Sequence, residues 1–220
     1  MTTPTGSGQD QYCYPGTATL INKFDIRNND TLANAEFHVV RCAALVLPTS
    51  PATEAGFKDN HLYLYGQLYS WAGQPRMSNL TTHGIEHAKP QAIAGELAKQ
   101  FELIRQGDRF TGLKPNEFAE AAAPAVGGLA ITAPFRHGND VALRYFTKHL
   151  AQRAGYGFDF KAIDPQAWVT AKQAASRGDF RPMAETLRAS VAAAPAIGLR
   201  IDNAKTNNRA SRDRDDYPSR

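Results

Sequence analysis

Apolar residues return every three or four positions along most of this chain, whereas the strict alternation typical of strands is scarce. Between residues 90 and 107 they form one stripe of Ile93, Leu97, Phe101 and Ile104. The same spacing predicts further helices over residues 31–47, 57–71, 115–132, 140–153 and 165–177. Asp30 or Thr31 is expected to cap the first of these. The sequence therefore predicts a mostly α-helical protein.

Residues 77–88 are the one candidate for a strand, a turn and a second strand. Residues 77–80 are predicted to be extended, and His83-Gly84 suits a tight turn. The five residues from His83 to His87 also match the inverted zinc-protease pattern H-x-x-E-H. Zinc binding by this pattern needs a helix, and the glycine inside it and the proline that follows oppose one. A polar loop is therefore the preferred interpretation.

Length and composition set the domain organisation. The chain has 220 residues, of which 42% are hydrophobic, enough for one buried core. We expect one domain over residues 12–195, a flexible N-terminus over residues 1–11, and a disordered polar tail over residues 196–220. No run approaches the roughly 18 apolar residues of a membrane helix, so no membrane partner is expected.

Charge and cysteine content narrow the function classes. The 25 basic and 21 acidic residues leave a net charge of +4, which permits nucleic-acid binding without implying it, so a nucleic-acid partner is not expected. Residues 1–10 lack the apolar stretch of a secretory signal, and the two cysteines suit reduced thiols. These features favour a cytoplasmic protein.

The strongest local signal is the segment over residues 133–144, between two predicted helices. Pro134 is expected to end the first helix, and Gly138 and Asn139 readily adopt the positive φ of a tight loop. The second helix then begins at Asn139 or Asp140, so several free backbone N–H groups converge at its positive end.

Such a loop is suited to binding an anion. Arg144 lies one helical turn further, where its guanidinium could reach a second phosphate. The alternative is an ordinary helix–loop–helix corner with Phe135 as a core residue. The chain has no G-x-x-x-x-G-K-[ST], G-x-G-x-x-G or G-x-S-x-G motif that would indicate another phosphate site or a serine nucleophile.

This segment resembles the signature H-P-F-x-[DE]-G-N-G-R-x-x-R of the Fic (Fido) family. The residues shared in register are Pro134, Phe135, Gly138, Asn139 and Arg144. Further blocks resemble the family in the same order, namely residues 14–17 (YPGT) with Leu20, Asn22 and Lys23, then residues 68–76 (LYSWAGQPR), 154–156 (AGY) and 164–168 (DPQAW). The resemblance covers residues 12–187.

The resemblance implies a mostly α-helical Fic-type domain with one β-hairpin flap beside the signature loop. Family members transfer AMP from ATP, with Mg²⁺, to a Ser, Thr or Tyr hydroxyl of a target protein whose backbone pairs with the flap. The resemblance thus implies that the chain binds ATP or another nucleotide. The residues implied to bind it are Phe135, Gly138, Asn139, Asp140 and Arg144. The flap residues implied to dock the target are Arg76, Ser78, Asn79, Leu80 and Thr81.

The resemblance also implies possible partners. The inhibitory helix [ST]-x-x-x-E-[GN] of the family has no match in this chain. We therefore expect two kinds of partner: the target protein, and an antitoxin-like chain that inhibits the domain. The toxin-like role implies either a cytoplasmic protein or one delivered into another cell.

Four functional positions depart from the family. Ala133 stands at the position of the catalytic His and has no proton acceptor, a loss that typically costs about 10²–10⁴-fold in rate. His137 replaces the acidic metal ligand, and Asp140 and Val141 replace a glycine and the first arginine. His137 and Asp140 remain the candidate Mg²⁺ ligands, although imidazole suits this ion poorly.

Two explanations of Ala133 stay open. The chain is either a transferase whose native His was replaced by Ala, or a naturally inactive pseudoenzyme that acts as a protein- or nucleotide-binding module. The other three departures would not accompany a single substitution, so they indicate that the native protein had already diverged from the family.

Overall fold

A computed structural model describes residues 10–192 of the chain. Within them lie seven α-helices and one antiparallel hairpin. The helices are α1 (Asn29–Leu45), α2 (Glu54–Tyr65), α3 (Ile93–Gln106), α4 (Pro115–Thr132), α5 (Asn139–Arg153), α6 (Pro165–Ala175) and α7 (Arg181–Ala192). The hairpin pairs β1 (Thr81–Thr82) with β2 (Ile85–Glu86). The predicted helical fold with one hairpin is confirmed.

The segment predicted as a flexible N-terminus lies outside the described residues except for residues 10 and 11, and the predicted polar tail lies entirely outside them. Among the described residues, no helix combines the length and the apolar character needed to cross a membrane.

Helix α4 forms the centre of the core, in contact with α3, α5, α6 and α7. Its buried face carries Phe118, Val126 and Leu129 among alanines and glycines. The small residues allow close approach, because a Cβ at Gly128 would lie 2.2 Å from the amide oxygen of Gln100 on α3. This packing fixes the end of α4, from which the signature loop departs.

Several helix boundaries differ from the sequence prediction, and two of the differences have a clear local cause. Helix α1 is capped by Asn28 instead of Asp30 or Thr31, because the Asn28 side-chain oxygen accepts from the Thr31 amide at 2.9 Å. Helix α2 ends at Tyr65, six residues before the predicted end. Residues 68 and 69 are nevertheless buried in the turn that follows, which explains why their apolar character suggested a longer helix.

Helix α7 was not predicted. Its buried residues Met183, Leu187 and Val191 recur every four positions, so the signal was present in the sequence. They pack against α4 and α6 and close the core on that side.

The hairpin turns at His83 and Gly84, as predicted, and both residues have positive φ (49° and 74°). Its strands are only two residues long, so the extended segment predicted for residues 77–80 forms no strand. The H-x-x-E-H pattern lies in this hairpin and not on a helix, which removes the zinc-protease geometry.

Candidate functional site

A cavity of about 430 Å³ opens where the flap (residues 77–88), the signature loop (residues 133–138) and five helices (α1, α2, α4, α5 and α6) meet. This volume lies within the range of small-molecule sites, about 300–1,000 Å³. Of the sequence-predicted site residues, those that line it are Leu80, Thr81, Ala133, His137, Gly138, Asn139 and Asp140. Arg76, Ser78, Asn79, Phe135 and Arg144 are not among its lining residues.

The signature loop begins where α4 ends. Ala133 adopts the left-handed region (φ 40°, ψ 67°), so the chain turns sharply into the loop. Ala133 is 2% exposed, and its methyl group offers no proton acceptor to the cavity that it lines. The structure thus places an alanine where the family resemblance expects the general base.

Asn139 holds the loop in shape. Its side-chain oxygen accepts from the Phe135 amide at 2.9 Å, and its side-chain nitrogen donates to the Phe135 carbonyl at 2.7 Å. The Phe135 ring is fully buried and stacks on His61 with 3.8 Å between ring centroids. Phe135 therefore anchors the loop in the core, and this placement corrects its predicted role as a direct nucleotide contact.

The N-terminus of α5 opens onto the cavity. Gly138 precedes it with φ 77°, and no side chain of residues 10–192 caps it. The backbone N–H groups of residues 137–141 donate no backbone hydrogen bond within the described chain. Unpaired amides at the positive end of a helix are suited to an anion, as the sequence predicts.

Gly138 also has a packing role. A Cβ at this position would lie 2.4 Å from the ring of Tyr65, which lines the cavity beside it. Only glycine combines the left-handed backbone with this close approach.

Asp140 is held by α6. Its carboxylate accepts from the ammonium of Lys172 at 2.7 and 2.9 Å and from the indole nitrogen of Trp168 at 3.2 Å. Burial acts to raise the pKa of Asp140, but the charge and hydrogen bonds of Lys172 outweigh it, so the pKa lies below its usual value. The carboxylate is therefore ionised and paired.

Arg144 is not among the residues that line the cavity. Its guanidinium carbon lies 5.6 Å from the ring centroid of Trp168, and its buried Nε has no hydrogen-bond partner within residues 10–192. The predicted contact of Arg144 with a second phosphate is not present in this arrangement, because the side chain packs on the indole instead.

His137 is oriented by Glu36 of α1. The His137 Nε2 lies 2.7 Å from the Glu36 Oε1, while the Tyr69 hydroxyl donates to the other carboxylate oxygen at 2.6 Å. Burial acts to raise the pKa of Glu36, but the hydrogen bond and charge of His137, aided by Tyr69, hold it below its usual value. His137 and Glu36 both line the cavity.

These pairs engage both residues that the sequence predicts as Mg²⁺ ligands. Asp140 is engaged by Lys172, and His137 is engaged by Glu36. No group of three or more His, Cys, Asp or Glu side chains among the described residues is arranged to hold a metal ion. Mg²⁺ also prefers oxygen ligands over imidazole. The metal site at His137 and Asp140 therefore stays a prediction.

Arg76 is buried and supports the site from behind. It is 2% exposed and donates to the carbonyl oxygens of Ser78, Ala88, Thr132 and Ala133. Burial lowers the pKa of Arg76 to about 10, so the guanidinium stays charged at neutral pH. This corrects its predicted role in target docking: Arg76 joins the flap to the end of α4, and only the flap itself remains available to a partner.

Comparison with known proteins identifies the family. No family model matches the chain. A relative from Escherichia coli K12, described as a probable protein adenylyltransferase Fic, is 27% identical over 182 residues, which cover 82% of this chain and 91% of that protein. The structure of BepC from Bartonella tribocorum, a VirB-translocated effector protein with bound AMPPNP, is 30% identical with a TM-score of 0.73, covering 82% of this chain and 96% of BepC. The N-terminal Fic domain of a putative cell filamentation protein from Bartonella quintana, with bound ADP, is 27% identical with a TM-score of 0.74, covering 82% and 94%.

The chain belongs to the Fic family. The resemblance noted in the sequence is therefore confirmed. Within this Fic domain, the departures at residues 133, 137, 140 and 141 all lie on the wall of one cavity.

The polar residues of this Fic site that were missed in the sequence include three on helices outside the motif. Glu36, Tyr65 and Lys172 line the cavity from α1, α2 and α6. Two of them carried a signal: Glu36 lies one turn after buried Leu32, and Lys172 one turn after buried Trp168, so each places a charge on an apolar helix face.

Proposed function

We propose that this Fic domain binds a nucleoside triphosphate in the cavity and transfers its nucleotidyl group, AMP in the case of ATP, to a Ser, Thr or Tyr hydroxyl of a target protein. The observation that carries the proposal is the uncapped N-terminus of α5, which opens onto a cavity of about 430 Å³. The nucleotide-bound Fic relatives support it.

The phosphates are proposed to lie at the amides of residues 137–141. The partial positive charge of a helix N-terminus attracts an anion. Asp140 would oppose a phosphate there, but its charge is offset by Lys172, whose ammonium lies 2.7 Å away. Gly138 and Asn139 shape the loop, so we propose that they act mainly through the backbone.

The target is proposed to dock along the flap. Asn79 and Thr81 are exposed there, whereas Leu80 is buried beneath them and lines the cavity. A short two-stranded hairpin leaves an outer edge for an added strand. This arrangement would bring a hydroxyl of the docked segment to the cavity.

Ala133 limits the reaction in this proposal. A base at that position typically contributes about 10²–10⁴-fold to the rate, and Ala133 cannot supply it. A second candidate function is a pseudoenzyme that binds a nucleotide or a protein without turnover. The contact of Arg144 with Trp168 favours it, because that contact keeps the guanidinium off the cavity.

The test compares the chain that carries Ala133 (below called wild type) with the variant Ala133→His. ATP binding is measured by calorimetry with and without Mg²⁺, and transfer from labelled ATP by release of diphosphate and by the intact mass of the protein. We expect binding by both proteins and faster transfer by Ala133→His. The matched control Ala33→His adds the same side chain at an exposed position of α1. Binding without transfer in either protein would favour the pseudoenzyme, and absence of binding would overturn both functions.

Partners are proposed on the same basis. Transferase activity requires a target protein as one partner. We propose an antitoxin-like chain, acting as an inhibitor, as the other. Delivery into another cell is proposed from the similarity to BepC, which is described as a translocated effector.

A further inference from the structure

The cavity contains an imidazole that is oriented by a carboxylate. His137 is 43% exposed in its side chain, and its Nε2 meets the Glu36 Oε1 at 2.7 Å. The Tyr69 hydroxyl holds the other oxygen of Glu36. When Nε2 donates the only ring proton to the carboxylate, Nδ1 carries a lone pair. That Nδ1 makes no hydrogen bond within residues 10–192.

We infer that His137, oriented by Glu36, accepts the proton of the attacking hydroxyl in this Fic domain, the task for which Ala133 has no group. The inference rests on the proposed transferase function. A base whose ring is fixed by a third group is the arrangement by which enzymes activate a hydroxyl. His137 shares the cavity with Ala133 and with the flap residues Thr81 and Thr82, beside which a target would dock.

The other histidines of this region are less suited to the task. His87 has both ring nitrogens engaged, by the Thr82 hydroxyl and the Ile131 carbonyl. His61 is fully buried between the Gly73 amide and the His137 carbonyl. His83 lines the cavity from the flap turn, but no carboxylate of the described chain pairs with it.

The step balances without a further reactant. The target hydroxyl gives its proton to His137 Nδ1, and its oxygen forms a bond to the α-phosphorus of the nucleoside triphosphate. The bond from that phosphorus to the bridging oxygen breaks, and diphosphate leaves with the electron pair. Glu36 stays ionised and stabilises the imidazolium that forms, so Glu36 is a positioning residue and His137 the catalytic one.

The experiment uses the full chain with labelled ATP. The readouts are diphosphate release, for which water can replace the target, and self-modification by intact mass. For His137→Ala we expect a loss of about 10²–10⁴-fold in rate, with partial recovery when free imidazole is added. Glu36→Gln should lose activity without recovery by imidazole. The control His38→Asn changes an exposed histidine of α1 and should keep the wild-type rate.

The outcomes separate this inference from the proposed function. Equal rates for wild type and His137→Ala would overturn the inference, as would loss of activity in His83→Asn alone. Transfer by Ala133→His with none by the wild type would overturn it too, while leaving the transferase function standing. Failure of ATP binding by the wild type and by Ala133→His would instead overturn the proposed function, and the inference with it.

Discussion

The Arg76 Nε donates a hydrogen bond of 2.9 Å to the carbonyl oxygen of Ala133. This contact joins the residue before the flap to Ala133, which directly follows α4. Since the same guanidinium also bonds to Thr132 and Ala88, one buried side chain sets the spacing between the flap and the signature loop. The width of the cavity thus depends on a residue that does not line it.

Replacing Arg76 by Met should destabilise the protein by about 3 kcal/mol or more, because several buried carbonyl oxygens lose their donor and each costs about 1–3 kcal/mol. Urea denaturation followed by circular dichroism measures the change. The control Arg105→Met removes an exposed arginine of α3 and should leave the midpoint nearly unchanged. Similar midpoints for the two variants would contradict a structural role for Arg76.

Replacing Asp140 by Asn should tighten ATP binding. The substitution removes a negative charge at the N-terminus of α5 and frees the ammonium of Lys172 to face a phosphate. We expect the Kd to fall about tenfold, or about 1.4 kcal/mol, in titration calorimetry. Asp59→Asn, on the exposed side of α2, is the matched control. An unchanged or higher Kd for Asp140→Asn would show that the phosphates do not approach this helix end.

Replacing Gly138 by Ala should abolish ATP binding and lower stability. The left-handed backbone (φ 77°) costs about 1–2 kcal/mol for a non-glycine residue, and the new Cβ would clash with Tyr65. Gly178→Ala is the control, because its φ of 83° brings similar strain with no described atom within 4 Å of the new Cβ. If both variants lose stability equally and retain binding, the close approach to Tyr65 is unimportant.

Stability should fall as the pH drops from about 6.5 to 4. Burial lowers the pKa of His61 and of His149 to about 4, so the unfolded state binds protons in this window that the folded state does not. Each histidine should cost about 3 kcal/mol by pH 4, at about 1.4 kcal/mol per pKa unit. Above pH 6.5 both histidines are neutral in the folded and in the unfolded protein, so this loss of stability disappears.

Urea titrations at pH 7.5, 6, 5 and 4.5 measure that slope. His149→Asn keeps an acceptor for the Ser50 hydroxyl, which lies 2.9 Å from the His149 Nδ1, while removing the titrating ring. The His149→Asn variant should show about half of the wild-type change in unfolding free energy between pH 6.5 and 4. A slope equal to that of the wild type would show that His149 is accessible to protons in the folded state.

Much of the fold followed from local patterns. The stripe from Ile93 to Ile104, the turn at His83-Gly84 and the start of α5 at Asn139 depend on neighbours in sequence, and all appear in the structure as predicted. The site was less predictable, because its pairs are distant along the chain. Glu36 and His137 are 101 positions apart, and the motif at residues 133–144 contains no sign of that partner.

The sequence also did not predict where the side chains of Arg144 and Arg76 point. Arg144 occupies the expected motif position, yet it packs on Trp168, because that indole comes from α6. Arg76 lies just before the flap, but its burial follows from the carbonyl groups that α4 and the flap bring around it. In both cases the spacing located the residue and the tertiary contacts determined its role.

Trp168 lies between the two charged residues that flank the α5 helix end. Its indole nitrogen donates to Asp140, and Arg144 packs on its ring. The chain has one other tryptophan, Trp71. A Trp71→Phe protein would therefore carry a single tryptophan beside the cavity, whose emission reports any rearrangement of either charge without an added dye.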